Sequence, residues 1–465
     1  MNMINVRRLT VMTFLGASML SGISAQVSPL QVDTLKETKI PDQWDLQSCI
    51  DYAKEQNITI RKNRITAVST QIDVKTAKAA LFPSLSFSTG HQVVNRPYQE
   101  TSSRVSGSEI ISSNSKTSYN GNYGLNASWT LYNGNKRLKT IQQEKLNNQM
   151  AELDVATSEN NIQESIAQVY IQILYAAESV KVNENTLQVS IAQRDRGQEL
   201  LNAGSIAKSD LAQLEAQVST DRYQLVTAQA TLEDYKLQLK QLLELDGENE
   251  MNIYLPALSD ENVLAPLPTK RDVYISALSL RPEIEASKLN VEASELGINI
   301  AKSSYFPTIS LSAGIGTNHT SGSDFTFGEQ VKNGWNNSIG LSISVPIFNN
   351  RQTKSAVQKA KLQYETSMLS LLDEQKALYK TIESLWLDAN SAQQRYAAAN
   401  EKLKSTQISY ELISEQFNLG MKNTVELLTE KNNLLQAQQE QLQAKYMAIL
   451  NTQLLKFYQG DQLAI

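Results

Sequence analysis

Two periods alternate along this chain. Apolar residues recur every three to four positions over residues 45–56 and 58–81, the spacing of a helix face, and then every second position from 84 onward, the spacing of a half-buried strand. The switch falls at Phe82-Pro83, where a missing N–H and a crowded preceding residue end a helix. Leu85, Phe87, Thr89 and His91 alternate with Ser and Gly, and after a Ser-rich stretch at 101–118 the chain returns through Tyr123, Leu125, Ala127, Trp129 and Leu131. This pattern predicts an antiparallel pair, strands at about 84–94 and 119–132, around a long, polar, mobile loop.

The same order recurs downstream. AKAALFPSLSFSTG at 77–90 becomes AKSSYFPTISLSAG at 301–314, GLNASWTLYNGN at 124–135 becomes GLSISVPIFNNR at 340–351, and LNAGSIAKSDL at 201–211 becomes FNLGMKNTVEL at 417–427. So long a period means two copies of one large unit. In the second copy Ile309, Leu311, Ala313 and Ile315 lead out, a Gly/Ser/Asn-rich loop covers 316–336, and Ile339, Leu341, Ile343, Val345 and Ile347 lead back, predicting strands at about 307–316 and 337–347. Strands of about ten residues with one apolar and one polar face fit a transmembrane barrel, with Ile309, Leu311, Ile339, Leu341, Ile343 and Val345 toward lipid. The edge of a soluble sandwich is the alternative.

Between the strand pairs, no Pro or Gly occurs from about 350 to 418, and Tyr364, Met368, Leu371, Leu378, Ile382, Leu385, Ala389, Ala392, Tyr396, Ala399 and Leu403 follow steps of four and three. Moved back by 216, that register meets Val155, Ile162, Ile166, Val169, Ile173, Ala176, Val180 and Leu187. A helix of about 70 residues extends roughly 100 Å, more than a globular domain needs. Each is expected to stop at Gly204 or Gly420 and return as a second helix, 206–245 or 423–458. The expected division is a first repeat at 26–245 with its helical hairpin at 133–245, a polar linker at 246–270, and a second repeat at 271–465 with its hairpin at 350–459. Asp272 to Leu280 reads as a short helix matching the one around Cys49.

Composition narrows the class. Ten prolines and nineteen glycines in 465 residues suit long helices, and a formal charge of −5 argues against nucleic acid as a partner. Arg7 and Arg8, an apolar run from Leu9 to Leu20 and small residues through Ser24-Ala25 have the order of a secretory signal, expected to span 1–25. Beyond it no run of 18 apolar residues occurs, so an exported chain either stays free of the bilayer or enters it as a barrel. Cys49, the single cysteine, permits no intrachain disulfide and is read as buried. His91 and His319 do not align between copies and suggest no metal site; no nucleophile motif or phosphate loop is present, so neither enzymatic activity nor a cofactor is expected. Trp129 and Trp335 lie near opposite strand ends, where aromatic belts or core packing would place them.

Four strands cannot close a barrel, and an open sheet edge in lipid leaves backbone groups unpaired. Three copies would supply twelve strands and six near-equivalent wall units. WDLQSCIDYAKEQN, Arg281-Pro282-Glu283, the two Phe-Pro corners, LYNGN and IFNNR, and the two glycine hairpins, in that order over residues 44–459, resemble the TolC-type outer-membrane efflux channels.

That resemblance implies a mainly α fold with a transmembrane β-barrel portion: a homotrimer with a 12-stranded barrel and a periplasmic α-helical tunnel of antiparallel coiled-coil helices. It implies docking at the tunnel tip onto a periplasmic adaptor and an inner-membrane RND or ABC pump, hence an outer-membrane exit channel for efflux or type I secretion. An exported coiled-coil filament protein is the competing function. By the same resemblance, Phe417, Lys422, Glu426 and Glu430 are expected at the periplasmic aperture, Phe417 where Tyr is usual and Thr429 where a second acid is usual. Three Glu426 carboxylates around one axis would form a cation-preferring ring, while Lys422 and Glu426 at i and i+4 also suit an ordinary solvated pair. Gly204 and Gly420 are read as hairpin formers, and Leu201, Ile206, Leu211, Leu419, Met421 and Leu427 as residues for adaptor contact or intrachain packing.

Overall fold

Each long strand runs into or out of one helix, and the corner residues explain how. The computed structural model describes residues 40–98, 102–106, 109–113, 116–246, 251–256, 263–321, 323 and 325–463, so the expected signal at 1–25 lies outside the described residues. Helix α1 (Leu46–Gln56) opens with a capping box between Asp45 and Ser48, and α2 (Ile58–Ala79) follows with Asn57 as its cap. After Phe82-Pro83 the chain forms β1 (Ser84–Asn95) and the short pair β2 (Ser102–Ser106) and β3 (Glu109–Ser113), then returns as β4 (Thr117–Asn133). Helices α3 (Lys136–Asn202) and α4 (Lys208–Leu242) complete the first copy.

The second copy repeats that order. It runs through α5 (Lys270–Leu280), α6 (Pro282–Ser303), β5 (Thr308–Thr320), α7 (Phe327–Asn333), β6 (Asn336–Ser344), α8 (Gln352–Asn418) and α9 (Thr424–Gln459). Both strand-to-helix corners turn through two successive left-handed residues, Gly134 (φ 67°) and Asn135 (φ 63°), then Asn350 (φ 49°) and Arg351 (φ 64°). Gly134 has a second constraint, since a Cβ there would lie 2.7 Å from the Ser303 carbonyl oxygen.

Three local expectations change. The 101–118 stretch, expected as an open loop, contains the paired strands β2 and β3; its Val and Ile residues carry β propensity that the serines mask. The 316–336 loop is shortened by β5 running on to Thr320 and by α7, whose Thr326/Glu329 capping box is a helix-start signal within a polar stretch. The last strand ends at Ser344, because Pro346 supplies no ladder N–H, and this places Val345 and Ile347 beyond the paired residues.

The four long strands form one antiparallel sheet in the order β1-β4-β5-β6. Its register settles the two faces. Leu85 pairs with Ala127, Ala127 with Ala313 and Ala313 with Ile339, while Trp129 pairs with Leu311 and Leu311 with Leu341. The next rows over join Ser86, Asn126, Gly314 and Ser338, then Ser88, Gly124, Gly316 and Asn336. One face is therefore apolar, with Phe87, Leu125, Ile339, Leu341 and Ile343 exposed, and the other is built from Ser, Asn, Thr and Gly.

Helices α2, α3, α6 and α8 pack in the same order as the strands they adjoin. Further from the sheet, α4 and α9 take over as neighbours of α3, and α9 also packs on α8. The changeover is held by specific bonds: Asn57 Nδ2 donates to Leu242 O (3.0 Å), joining the end of α4 to the start of α2. At the corresponding joint Arg281 donates to Glu164 (2.9 Å) and Glu283 (2.8 Å) and lies 4.1 Å above the Tyr458 ring. The main apolar core surrounds these joints, where Trp44, Cys49 and Ile50 meet Tyr170, Leu174, Leu239 and Tyr396.

Candidate functional site

The hairpin tips and the two faces of the sheet carry the features a channel would use. Both tips stop their helices in the same way. Gly204 (φ 77°) and Gly420 (φ 74°) are left-handed; Ser205 N donates to Leu200 O (2.8 Å) and Met421 N to Gln416 O (2.9 Å), the wide bond of a Schellman stop. The return helices then start on an acid. Asp210 accepts from Ala207 N (3.0 Å), and Glu426 accepts from Asn423 N (3.3 Å) while Asn423 Oδ1 accepts from Glu426 N (2.9 Å). Asp210 and Glu426 stand 216 positions apart, the offset of the repeat, so the same spacing could have singled out Asp210 in the sequence.

Several of the expected tip residues are surface groups and others are not. Lys422 Nζ contacts Glu426 Oε1 at 2.6 Å, both side chains part-exposed, so the i to i+4 pair does form. That bond and the Asn423 N–H hold the Glu426 carboxyl below the ordinary carboxylate range. Glu430 is tied toward α8 by Ser409 Oγ (3.2 Å), and the Thr429 hydroxyl is turned to the Val425 carbonyl (2.8 Å). Phe417 departs from its expected placement: at 3% exposure its ring is a packing group of the protomer. The end of α8 places Phe417 on the buried face, one turn before the stop.

Among the apolar candidates, Leu427 is fully buried, the intrachain-packing alternative. Ile206 and Leu211 fold over Gly197, whose absent Cβ would lie within 3.8 Å of both side chains. Leu201 is half-buried, while Leu419 and Met421 are 69% and 71% exposed and Val425 joins them. Gly204 and Gly420 have open space around them.

Two groupings carried no sequence signal. Ser190 of α3, Asp221 of α4 and Lys431 of α9 meet inside the helix packing, and both Ser190 and Lys431 donate to Asp221 Oδ2. On the sheet, Gly121 lies between His91 and His319 in the pairing register, with Tyr119 and Tyr123 beside them on the apolar face. The histidines thus join an aromatic girdle at the sheet end far from the helices, with Trp335 exposed there as well. At the near end Trp129 Nε1 donates to Leu81 O (2.7 Å), and Phe82, Phe306 and Phe348 are exposed. An apolar band between two aromatic girdles is the outside of a membrane barrel.

A sequence model described as "Outer membrane efflux protein" matches residues 49–244 and 273–460. The chain belongs to that family. Among curated relatives, the outer membrane efflux protein BepC of Brucella suis is 24% identical over 63% of this chain and 61% of its own length. Outer membrane protein TolC of Escherichia coli K12 is 24% identical over 61% of this chain and 58% of its own length, so the chain spans about three-fifths of these two relatives. TolC of Salmonella enteritidis is 21% identical over 90% of this chain and 82% of its own.

Solved structures of CusC (TM-score 0.75, 19% identity, 90% of this chain and 92% of that one) and of VceC from Vibrio cholerae (0.73, 16%, 90% and 97%) share the fold. The family consists of channel proteins rather than enzymes, and membership places the chain in the outer membrane. Among the described residues no helix is long and apolar enough to cross a membrane.

Proposed function

We propose that the protein is a passive outer-membrane exit channel. One observation carries this reading: a four-stranded sheet, apolar on one face and polar on the other, has both edge strands, β1 and β6, open and is continued by helices of 67 residues. In lipid the open edges would leave N–H and C=O groups without partners, so β6 of one copy pairs with β1 of the next. Three copies close twelve strands, and their helices extend the wall about 100 Å into the periplasm. Ser86, Asn126, Ser312 and Ser338 then face an aqueous lumen whose paired positions hold uncharged residues, so charge selection belongs at the other end of the pipe.

At that end Glu426, offset by Lys422 and backed by Glu430, rings the aperture three times over. Leu419 and Met421, with Gly204 and Gly420, offer the exposed surface for a periplasmic adaptor, which couples the channel to an inner-membrane pump of the RND or ABC class; Leu201 borders it. Energy comes from the pump, and the channel itself binds no cofactor. An exported filament protein would use the helices but leave the girdled apolar sheet face unexplained.

The test is to purify the protein from outer membranes, determine its mass in detergent by light scattering and record it in planar bilayers. A trimer with stepwise conductance is expected. An elongated monomer recovered from the soluble fraction would overturn the reading.

A further inference from the structure

Among the described residues, a complete ion pair lies buried close behind the tips. Ser190, Asp221 and Lys431 are 2%, 1% and 3% exposed and come from three helices, two in the first hairpin and one in the second. Lys431 Nζ donates to Asp221 Oδ2 and to Ser190 Oγ, and Ser190 Oγ donates to the same Asp221 oxygen. Gln217 Nε2 fills the remaining carboxylate oxygen at 2.9 Å and reaches Asn432 Oδ1 at 3.4 Å. Gln193 of α3 adds a further bond between the hairpins, to the Tyr410 hydroxyl of α8 at 2.8 Å.

Stability alone is a poor reason for such a cluster. Removing two charges from water costs much of what their attraction returns, and apolar side chains of similar size often serve as well. Apolar packing is already the local pattern, since Leu187, Leu214, Val218, Leu427 and Leu434 are buried on the same three helices. Directional bonds supply what apolar packing lacks, a single rotation and height of one helix against its neighbours. The duplication does not repeat this arrangement, because the position 216 residues before Lys431 is Glu215, which is exposed.

Lys431 follows Glu426 by five residues, about 7.5 Å along α9. Leu427 and Lys431, four apart, share the buried face, and Glu426 and Glu430 precede them by one step around the helix. Any turn or slide of α9 that moves Glu426 must therefore displace Lys431 from Asp221. We infer that the Ser190–Asp221–Lys431 cluster is a pin that fixes α9 against α3 and α4 and so positions the Glu426 carboxylates at the aperture. Lys431 is a positioning residue here, and the inference rests on the channel reading given above.

The pin is tested on the full-length protein in planar bilayers, with folding followed by circular dichroism and light scattering. The double variant Asp221→Leu/Lys431→Met removes the directional bonds without leaving a lone buried charge. It is expected to assemble like the wild type and to raise the ratio of open to closed dwell time by about tenfold, the order of one lost set of buried bonds. The exchanged variant Asp221→Lys/Lys431→Asp restores a pair and is expected to return the ratio toward wild type.

An assembled double variant with unchanged dwell times would overturn the pin. Should the double variant not assemble, Ser190→Ala, which keeps both charges paired, decides: a smaller rise in the same direction supports the pin, and no change assigns the cluster to stability alone. Wild-type protein recorded alongside separates the two ideas. Absence of any wild-type conductance overturns the channel reading and the pin with it, whereas wild-type conductance with unaltered variants overturns the pin only.

Discussion

The tips at Gly204 and Gly420 have the same backbone and different surfaces. Each has a left-handed glycine, a Schellman stop and an acid at the third position of the return helix. Around that frame Ile206 packs onto Gly197, whereas the equivalent Lys422 pairs with Glu426; Ala203 and Ser205 flank one glycine, and the exposed Leu419 and Met421 flank the other. Duplication has kept what the chain needs in order to turn and has varied what a solvent or a partner meets. The difference deepens one turn further on, where buried Lys431 answers to exposed Glu215.

The largest expected asymmetry is at that pair of positions. Lys431→Met should destabilise the protein by about 3–5 kcal/mol, since it leaves Asp221 charged and buried, while Glu215→Met should stay within about 0.5 kcal/mol. Chemical denaturation of the two variants measures this, and equal effects would break the contrast. Gly204→Val and Gly420→Val should instead behave alike, each costing about 1–2 kcal/mol, because both sites are left-handed and neither has a neighbour within 4 Å to add a clash. Unequal losses in the same assay would show that one tip is not the free hairpin it resembles.

The finest distinction is electrostatic. Glu426→Gln should lower cation preference in single-channel recordings, and Asp210→Asn should lower it less, because Asp210 has no lysine one turn before it to set its position. The Glu426 carboxyl is held below its ordinary value of 4.5, so its charge and its contribution are present at neutral pH and are lost as pH falls through a midpoint under 4.5. A selectivity change centred above 4.5 would assign the ring to another acid.

Particular residues show how much was readable beforehand. Both glycine stops, both Phe-Pro ends and the alternation of Leu85, Phe87, Leu311 and Leu341 are local signals, since a missing Cβ, a missing N–H or a period of two acts within a few residues. The capping boxes at Thr326/Glu329 and Asn423/Glu426 are equally local. The first was hidden in a stretch rich in loop-forming residues, and the acid of the second was noticed for its charge rather than for its cap. Leu427 was open to two placements because a residue one turn from a helix end can face either neighbour or solvent, and Phe417 was expected only at the aperture. Only packing chose the buried side.

The order and period of the elements, the duplication and the two-faced strands were determined by the sequence itself, because each depends on spacing along a continuous backbone. The tertiary structure decided which distant groups meet. His91 and His319 flank Gly121 only through the register of three strands, and Ser190, Asp221 and Lys431 meet only because α3, α4 and α9 cross at one height. Such meetings are set by packing among elements far apart in the chain, for which no short-range spacing exists to be read.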